Sequence, residues 1–92
     1  MDAIKRAVEF YGKNNQMVKA MEEMAELQQA LSKYLLCDDP EQAHILQQNV
    51  EEKTADVLIM CEQLKIMFDQ DSIEWYQDYK IKRLAERLNN AR

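Results

Sequence analysis

The chain has 92 residues, 47% of them hydrophobic and 32% charged, with a single Gly and a single Pro. That is a composition for long helices, and it excludes a sheet-built fold. A net charge of −5 excludes a general nucleic-acid binder, because a phosphate backbone is held by a cationic surface.

The first expected helix runs from about Asp2 to Tyr11, with Ile4, Ala7, Val8 and Tyr11 as its apolar side and Gly12 ending it. Asn14 or Asn15 then caps a second helix that continues to about Leu36, where Cys37-Asp38-Asp39-Pro40 interrupts it. In that helix Met17, Met21, Met24, Leu27, Leu31, Tyr34 and Leu35 recur at spacings of three and four, which predicts one buried face flanked by Glu23 and Glu26. Asp39 followed by Pro40 is a cap followed by a first-turn proline, so a third helix starts there and extends to about Phe68, with a break expected near Gln47 to Asn49. Asp69-Gln70-Asp71-Ser72 reads as a polar turn with Ser72 as the next cap, and Ile73 to about Asn90 forms the last helix.

These elements make one domain over residues 1–92, an all-α antiparallel four-helix bundle. Its core is small enough that assembly into a dimer or tetramer is the expected means of completing it. No run approaches a membrane span, and no apolar segment follows Asp2, Lys5 and Arg6. Cys37 and Cys61 are too far apart for a compact zinc pair and have no accompanying motif, so they are read as free thiols in a reducing cytoplasm. His44 has no triad partners around it and is expected on the surface.

On the third helix Asp56 points with Ile45, Ile59, Met60 and Met67, and Glu52, Asn49 and Gln63 share that direction. A carboxylate on such a stripe needs a positive partner. Glu23 and Glu26 lie three apart and converge on one point, which meets Glu52 and Asp56 if the two helices pack antiparallel. Four carboxylates from two helices suit magnesium, which prefers oxygen ligands and leaves positions for substrate phosphates. The chemistry implied is attack on phosphorus by a water that the metal or a carboxylate activates. Lys80, Arg83 and Arg87 share one face of the last helix, with Lys82 nearby and Arg92 beyond, and present several cations to a polyphosphate at once.

The run Gln16-Met17-Val18-Lys19-Ala20-Met21-Glu22-Glu23-Met24-Ala25-Glu26-Leu27, then Ala55-Asp56-Val57-Leu58-Ile59-Met60, then Lys80-Ile81-Lys82-Arg83-Leu84, resembles the MazG-like all-alpha nucleoside triphosphate pyrophosphohydrolases over most of the chain. In that family a Glu-Glu-x-x-Glu segment and a later Glu-x-x-Asp segment on facing helices bind magnesium. The resemblance implies Glu22 or Glu23, Glu26 and Asp56 as metal ligands, with manganese as a substitute ion, and cleavage of a nucleoside triphosphate to monophosphate and pyrophosphate. It further implies Lys80 and Arg83 as phosphate-binding residues, Arg87 as a weaker match, and Gln16 and Lys19 near the nucleotide.

One position departs from the pattern. Three residues before Asp56, where the family carries Glu, stands Lys53, which has donors and no acceptor and so cannot ligate magnesium. Glu52, one turn before Asp56, is the expected substitute ligand, and Lys53 is then expected to neutralise substrate phosphate. The resulting expectation is a magnesium-dependent pyrophosphohydrolase in which Glu23, Glu26, Glu52 and Asp56 hold metal, Glu22 orients water, and Lys80 and Arg83 hold phosphate. Its rival is a member of the same fold that has lost catalysis and serves as a nucleotide-binding or protein-interaction module.

Overall fold

Aspartates start three of the four helices in the computed structural model, which describes residues 2–91. Asp2 Oδ1 accepts from the Ile4 N–H at 2.9 Å and opens α1 (Ala3–Tyr11), and Asp39 Oδ1 accepts from the Glu41 N–H at 3.0 Å and opens α3 (Pro40–Met67). Asp69 Oδ1 accepts from the Ser72 N–H at 3.1 Å and opens α4 (Gln70–Asn90). Each side chain satisfies one of the amide donors that a helix start leaves without an internal partner. The fourth helix therefore starts three residues before Ile73: Ser72 is not the cap but the residue whose amide the cap receives.

Gly12 performs two tasks between α1 and α2 (Lys13–Leu35). Its N–H donates to the Val8 carbonyl at 2.9 Å, closing α1, and its own carbonyl accepts from the Gln16 N–H at 3.1 Å, opening α2. Its φ of +90° and ψ of 153° lie where an L side chain is strained. With Gly12 as the cap, Asn14 and Asn15 fall inside α2, and the Asn15 amide instead donates back to the Tyr11 carbonyl at 2.8 Å. The third helix passes through Gln47 to Asn49 without a break. Gln47 donates outward to Glu51 at 3.1 Å, one turn ahead, so its polarity is satisfied on the helix surface.

The fold is all-α, and no strand occurs among the described residues. Its centre is the α2–α3 hairpin, with α1 packed on both helices and α4 touching α3 alone. Gln16 meets Gln63, and Glu26 meets Lys53 ten positions further along α2 and ten positions back along α3. The two helices therefore run antiparallel in a constant register, which puts Glu23 level with Asp56.

The face of α2 turned to α3 is Gln16, Ala20, Glu23, Leu27 and Ala30, not the methionine-rich stripe. Met21, Met24, Leu31, Tyr34 and Leu35 are exposed, Met21 by 61%. Two alanines let the helix backbones approach closely, and the stripe one step round the helix is left uncovered. On α3, Met60, Gln63 and Met67 are buried, whereas Ile45 and Ile59, expected beside them, are exposed. Trp75, Tyr76, Tyr79, Ile81, Leu84 and Leu88 of α4 are exposed as well, and no large side chain is fully buried among the described residues. One chain alone thus leaves much apolar surface in water, more than single scattered exposures explain. No described helix is long and apolar enough to cross a membrane. His44 is exposed, and Cys37 and Cys61 are free and half-buried.

Candidate functional site

Midway along the hairpin three carboxylates and two lysines stand between α2 and α3. Lys53 Nζ donates to Glu26 Oε1 at 2.9 Å across the helices and lies 4.0 Å from Asp56 Oδ2 on its own helix. Lys19 Nζ lies 3.1 Å from Glu23 Oε1, one turn along α2. The other Glu23 oxygen, Oε2, is buried and has no hydrogen-bond partner, on a side chain only 10% exposed.

The two helices arrange this by their periods. Along α3, Asn49, Lys53, Asp56, Met60, Gln63 and Met67 follow one another at spacings of three and four and form the stripe facing α2. Lys53 belongs to this stripe, while Glu52 lies on the outer side and is exposed. Asp56 is half-buried, and the carboxylate that is truly buried is Glu23. Glu22 is exposed.

The hydrogen bond from Lys53 holds the Glu26 carboxyl below its usual range, helped by the lysine's charge, and the same bond raises Lys53 above its usual range. The charges of Glu26, Asp56 and Glu52 add to the rise in Lys53. Lys19 is raised in the same way, first by its hydrogen bond to Glu23 and then by the charges of Glu23, Glu22 and Glu26. Both lysines therefore stay charged at neutral pH.

Gln16, expected near a nucleotide, is buried in the hairpin instead, its Nε2 donating to Gln63 Oε1 at 2.7 Å. Lys80, Arg83 and Arg87 come together as expected from their spacing, lining one groove of about 260 Å³. They sit on the far part of α4, Lys80 ten positions after Gln70, roughly 15 Å along the axis. Arg83 also lies over the Tyr79 ring at 5.7 Å, and Tyr79 stacks on Trp75 with ring centroids 5.4 Å apart. Arg92 lies outside the described residues. A further hollow of about 620 Å³ lies on α1, lined by Ala3, Arg6, Ala7, Glu9, Phe10 and Tyr11, none of them a residue of the hairpin cluster or of the basic groove.

Among the described residues no three acidic, His or Cys side chains converge closely enough to hold a metal ion. Carboxylate oxygens from two facing helices are the donor type magnesium takes, but in this arrangement Lys53 stands between Glu26 and Asp56. Glu23 Oε2 in particular is a buried anionic acceptor lacking any donor, an arrangement that a cation relieves. The lysine at position 53 was legible as a departure from a metal motif. That it would bridge Glu26 and Asp56 was signalled only by the spacing of the α3 stripe. Comparison with family models, with curated proteins and with solved structures finds no match to this chain.

Proposed function

We propose that the chain is a MazG-like pyrophosphohydrolase of nucleoside triphosphates, assembled as a homodimer or homotetramer and dependent on magnesium, with manganese as an alternative ion. The observation that carries this reading is Glu23, a carboxylate nine-tenths buried with one oxygen unpartnered, level with Asp56 on the facing helix. A stability-driven core has no use for such a group, since an apolar residue there avoids the cost of a buried anion.

Glu23, Glu26 and Asp56 would be the residues to hold the ion, while Glu52, expected among them, lies on the outer side of α3. Bound magnesium supplies charge neutralisation on the polyphosphate and lowers the pKa of water. Glu22, exposed beside the site, orients the attacking water as it adds to phosphorus and the bridge between the α- and β-phosphates opens, releasing monophosphate and pyrophosphate. Lys19 stands at the same level of α2 and meets phosphate charge, whereas Gln16 is committed to Gln63 and fixes the register of the hairpin. Lys80, Arg83 and Arg87 stabilise the leaving phosphates once a second copy brings its α4 to the hairpin, since α4 makes no contact with the α2 of its own chain. Assembly is supported by the uncovered Met21, Met24 and Leu35 of α2 and Leu84 and Leu88 of α4, and by the contrast between a basic α4 end and an acidic hairpin.

A second reading, a nucleotide-binding or protein-interaction module without turnover, is favoured by one observation, the Lys53 bridge to Glu26. Pyrophosphate release from a panel of common and modified nucleoside triphosphates, in magnesium, in manganese and in chelator, decides between them. Metal-dependent release that is lost in Asp56→Asn and Glu26→Gln supports the enzyme. Absence of release from folded, assembled protein that still binds a nucleotide supports the module.

A further inference from the structure

We propose that two copies of the chain exchange their last helices, the α4 of each lying antiparallel along the methionine stripe of the other's α2. This rests on the assembled state proposed above and deepens it by naming the faces that meet.

Four observations lead to it. The first is size. A compact chain of this mass exposes about 5,600 Å² and has a radius of gyration of about 12 Å, whereas this one exposes 7560 Å² and has a radius of 16.8 Å. The excess, roughly 2,000 Å² per chain, exceeds the ~800 Å² per partner that a stable interface takes and falls among permanent homodimers. Second, α4 is 21 residues long and buries none of them, and among the described residues it reaches no helix but α3. Such a helix draws little support from its own chain.

Third, the uncovered faces share a period. On α2, Met17, Met21, Met24, Gln28, Leu31 and Leu35 follow at alternating spacings of four and three, and on α4, Ile73, Gln77, Ile81, Leu84 and Leu88 do nearly the same; all are exposed or half-buried. These are the seams of helices that pack side by side. Fourth, each seam holds a single glutamine, and a lone polar position in an apolar seam specifies register. With Gln28 level with the partner's Gln77, antiparallel helices bring Met24 beside the partner's Ile81, Met21 beside the partner's Leu84 and Met17 beside the partner's Leu88. A second copy is the occupant because a two-fold exchange covers both seams of both chains and closes.

The consequence is a cluster completed by the other copy. Gln16 with Gln63 and Glu26 with Lys53 set the register of α2 against α3, and the exchange adds a third helix to it. The partner's Lys80 and the partner's Arg87, which flank the α4 seam, come level with Ala25 and Val18 and so bracket Lys19, Glu22 and Glu23. A phosphate held by these cations lies between two chains.

The test is disulfide trapping between copies, with Cys37→Ser and Cys61→Ala so that only introduced thiols react. Chains carrying Met24→Cys are co-expressed with longer, tagged chains carrying Ile81→Cys and oxidised. Met21→Cys with Leu84→Cys repeats the trap at a second level in case one substitution disturbs folding. Leu31→Cys with Ile81→Cys is the control, since Leu31 stands two turns, about 10 Å, from Met24, beyond disulfide reach. Light scattering of the wild type gives the assembled mass. The expected result is a covalent pair of one chain of each kind at both matched levels, lost in the control. Bridges between like chains only, none at either level, or equal bridging in the control, in protein whose mass shows assembly, overturn the exchange and leave the assembly standing. A single-chain mass for the folded wild type overturns both.

Discussion

Replacing Gln63 by Leu deletes the acceptor for Gln16 Nε2, a hydrogen bond of 2.7 Å between two buried side chains. The register that sets Glu23 level with Asp56 is anchored by this pair at one end. The Leu side chain fills similar space, so the main effect is an amide donor left buried without a partner, at a cost of about 1–3 kcal/mol. The reverse change, Gln16→Leu, orphans the Gln63 oxygen at a similar cost. The double replacement removes both polar groups and is expected within about 1 kcal/mol of the wild type, since apolar groups of like shape substitute for a satisfied pair nearly neutrally. Urea unfolding at one fixed protein concentration measures all four proteins, because the proposed assembly would make apparent stability concentration-dependent. With the double variant near the wild type, the double-mutant cycle is expected to show a coupling close to the sum of the two single losses, roughly 2–6 kcal/mol. Strict additivity, with the double variant as unstable as both single losses combined, would refute the pairing and with it the register.

Three further outcomes follow from other parts of the molecule. Gly12→Ala places a side chain at φ +90° with nothing within 4 Å of its Cβ, so the cost is backbone strain alone, about 1–3 kcal/mol by denaturant unfolding; an unchanged midpoint would mean the α1–α2 junction is built differently. The ion pair of Lys53 with Glu26 sets a pH window. Glu26 is lowered, so its contribution is present above the ordinary carboxylate range and is lost as pH falls through its folded value; Lys53 is raised, so its contribution is present below the ordinary lysine range and is lost as pH rises through its folded value. The stability difference between the wild type and Lys53→Met is therefore expected flat between about pH 5 and 10 and smaller outside it, and a change centred near neutrality contradicts the pairing. Met21→Glu and Leu84→Glu put charge on exposed apolar faces, so light scattering should show a smaller assembly with helical circular dichroism retained; an unchanged mass in both means that neither face is an interface.

Helix positions were legible because their causes are local. Asp39-Pro40 and Gly12 act through their own backbones, so they could be read without knowing the fold. Ser72 was a less good reading than Asp69 because both are cap residues, and only the amide that is actually received, Ser72's own, separates them. The buried face of α2 was misread for a different reason. Hydrophobic periodicity marks any face that will leave water, whether against its own chain or another copy. Met17, Met21 and Met24 carry that signal more strongly than Ala20 and Ala30, which are small because helices approach there. On α3 a step of 100° separates Glu52 from Lys53, and a stripe drawn wide enough to include Ile45 and Ile59 took in Glu52; centred on Asn49, Met60 and Met67 it selects Lys53. The position of α4 was not legible, since an apolar stripe does not state what it packs against.

Residue-resolved manganese broadening in nuclear magnetic resonance spectra tests the hairpin site most directly. A substoichiometric titration is expected to broaden the amide signals around Glu23, Glu26, Lys53 and Asp56 first, and to lose that selectivity in Asp56→Asn. Broadening spread evenly over exposed carboxylates such as Glu9, Glu41 and Asp71, with the hairpin no more affected than the rest, would contradict a metal site between α2 and α3.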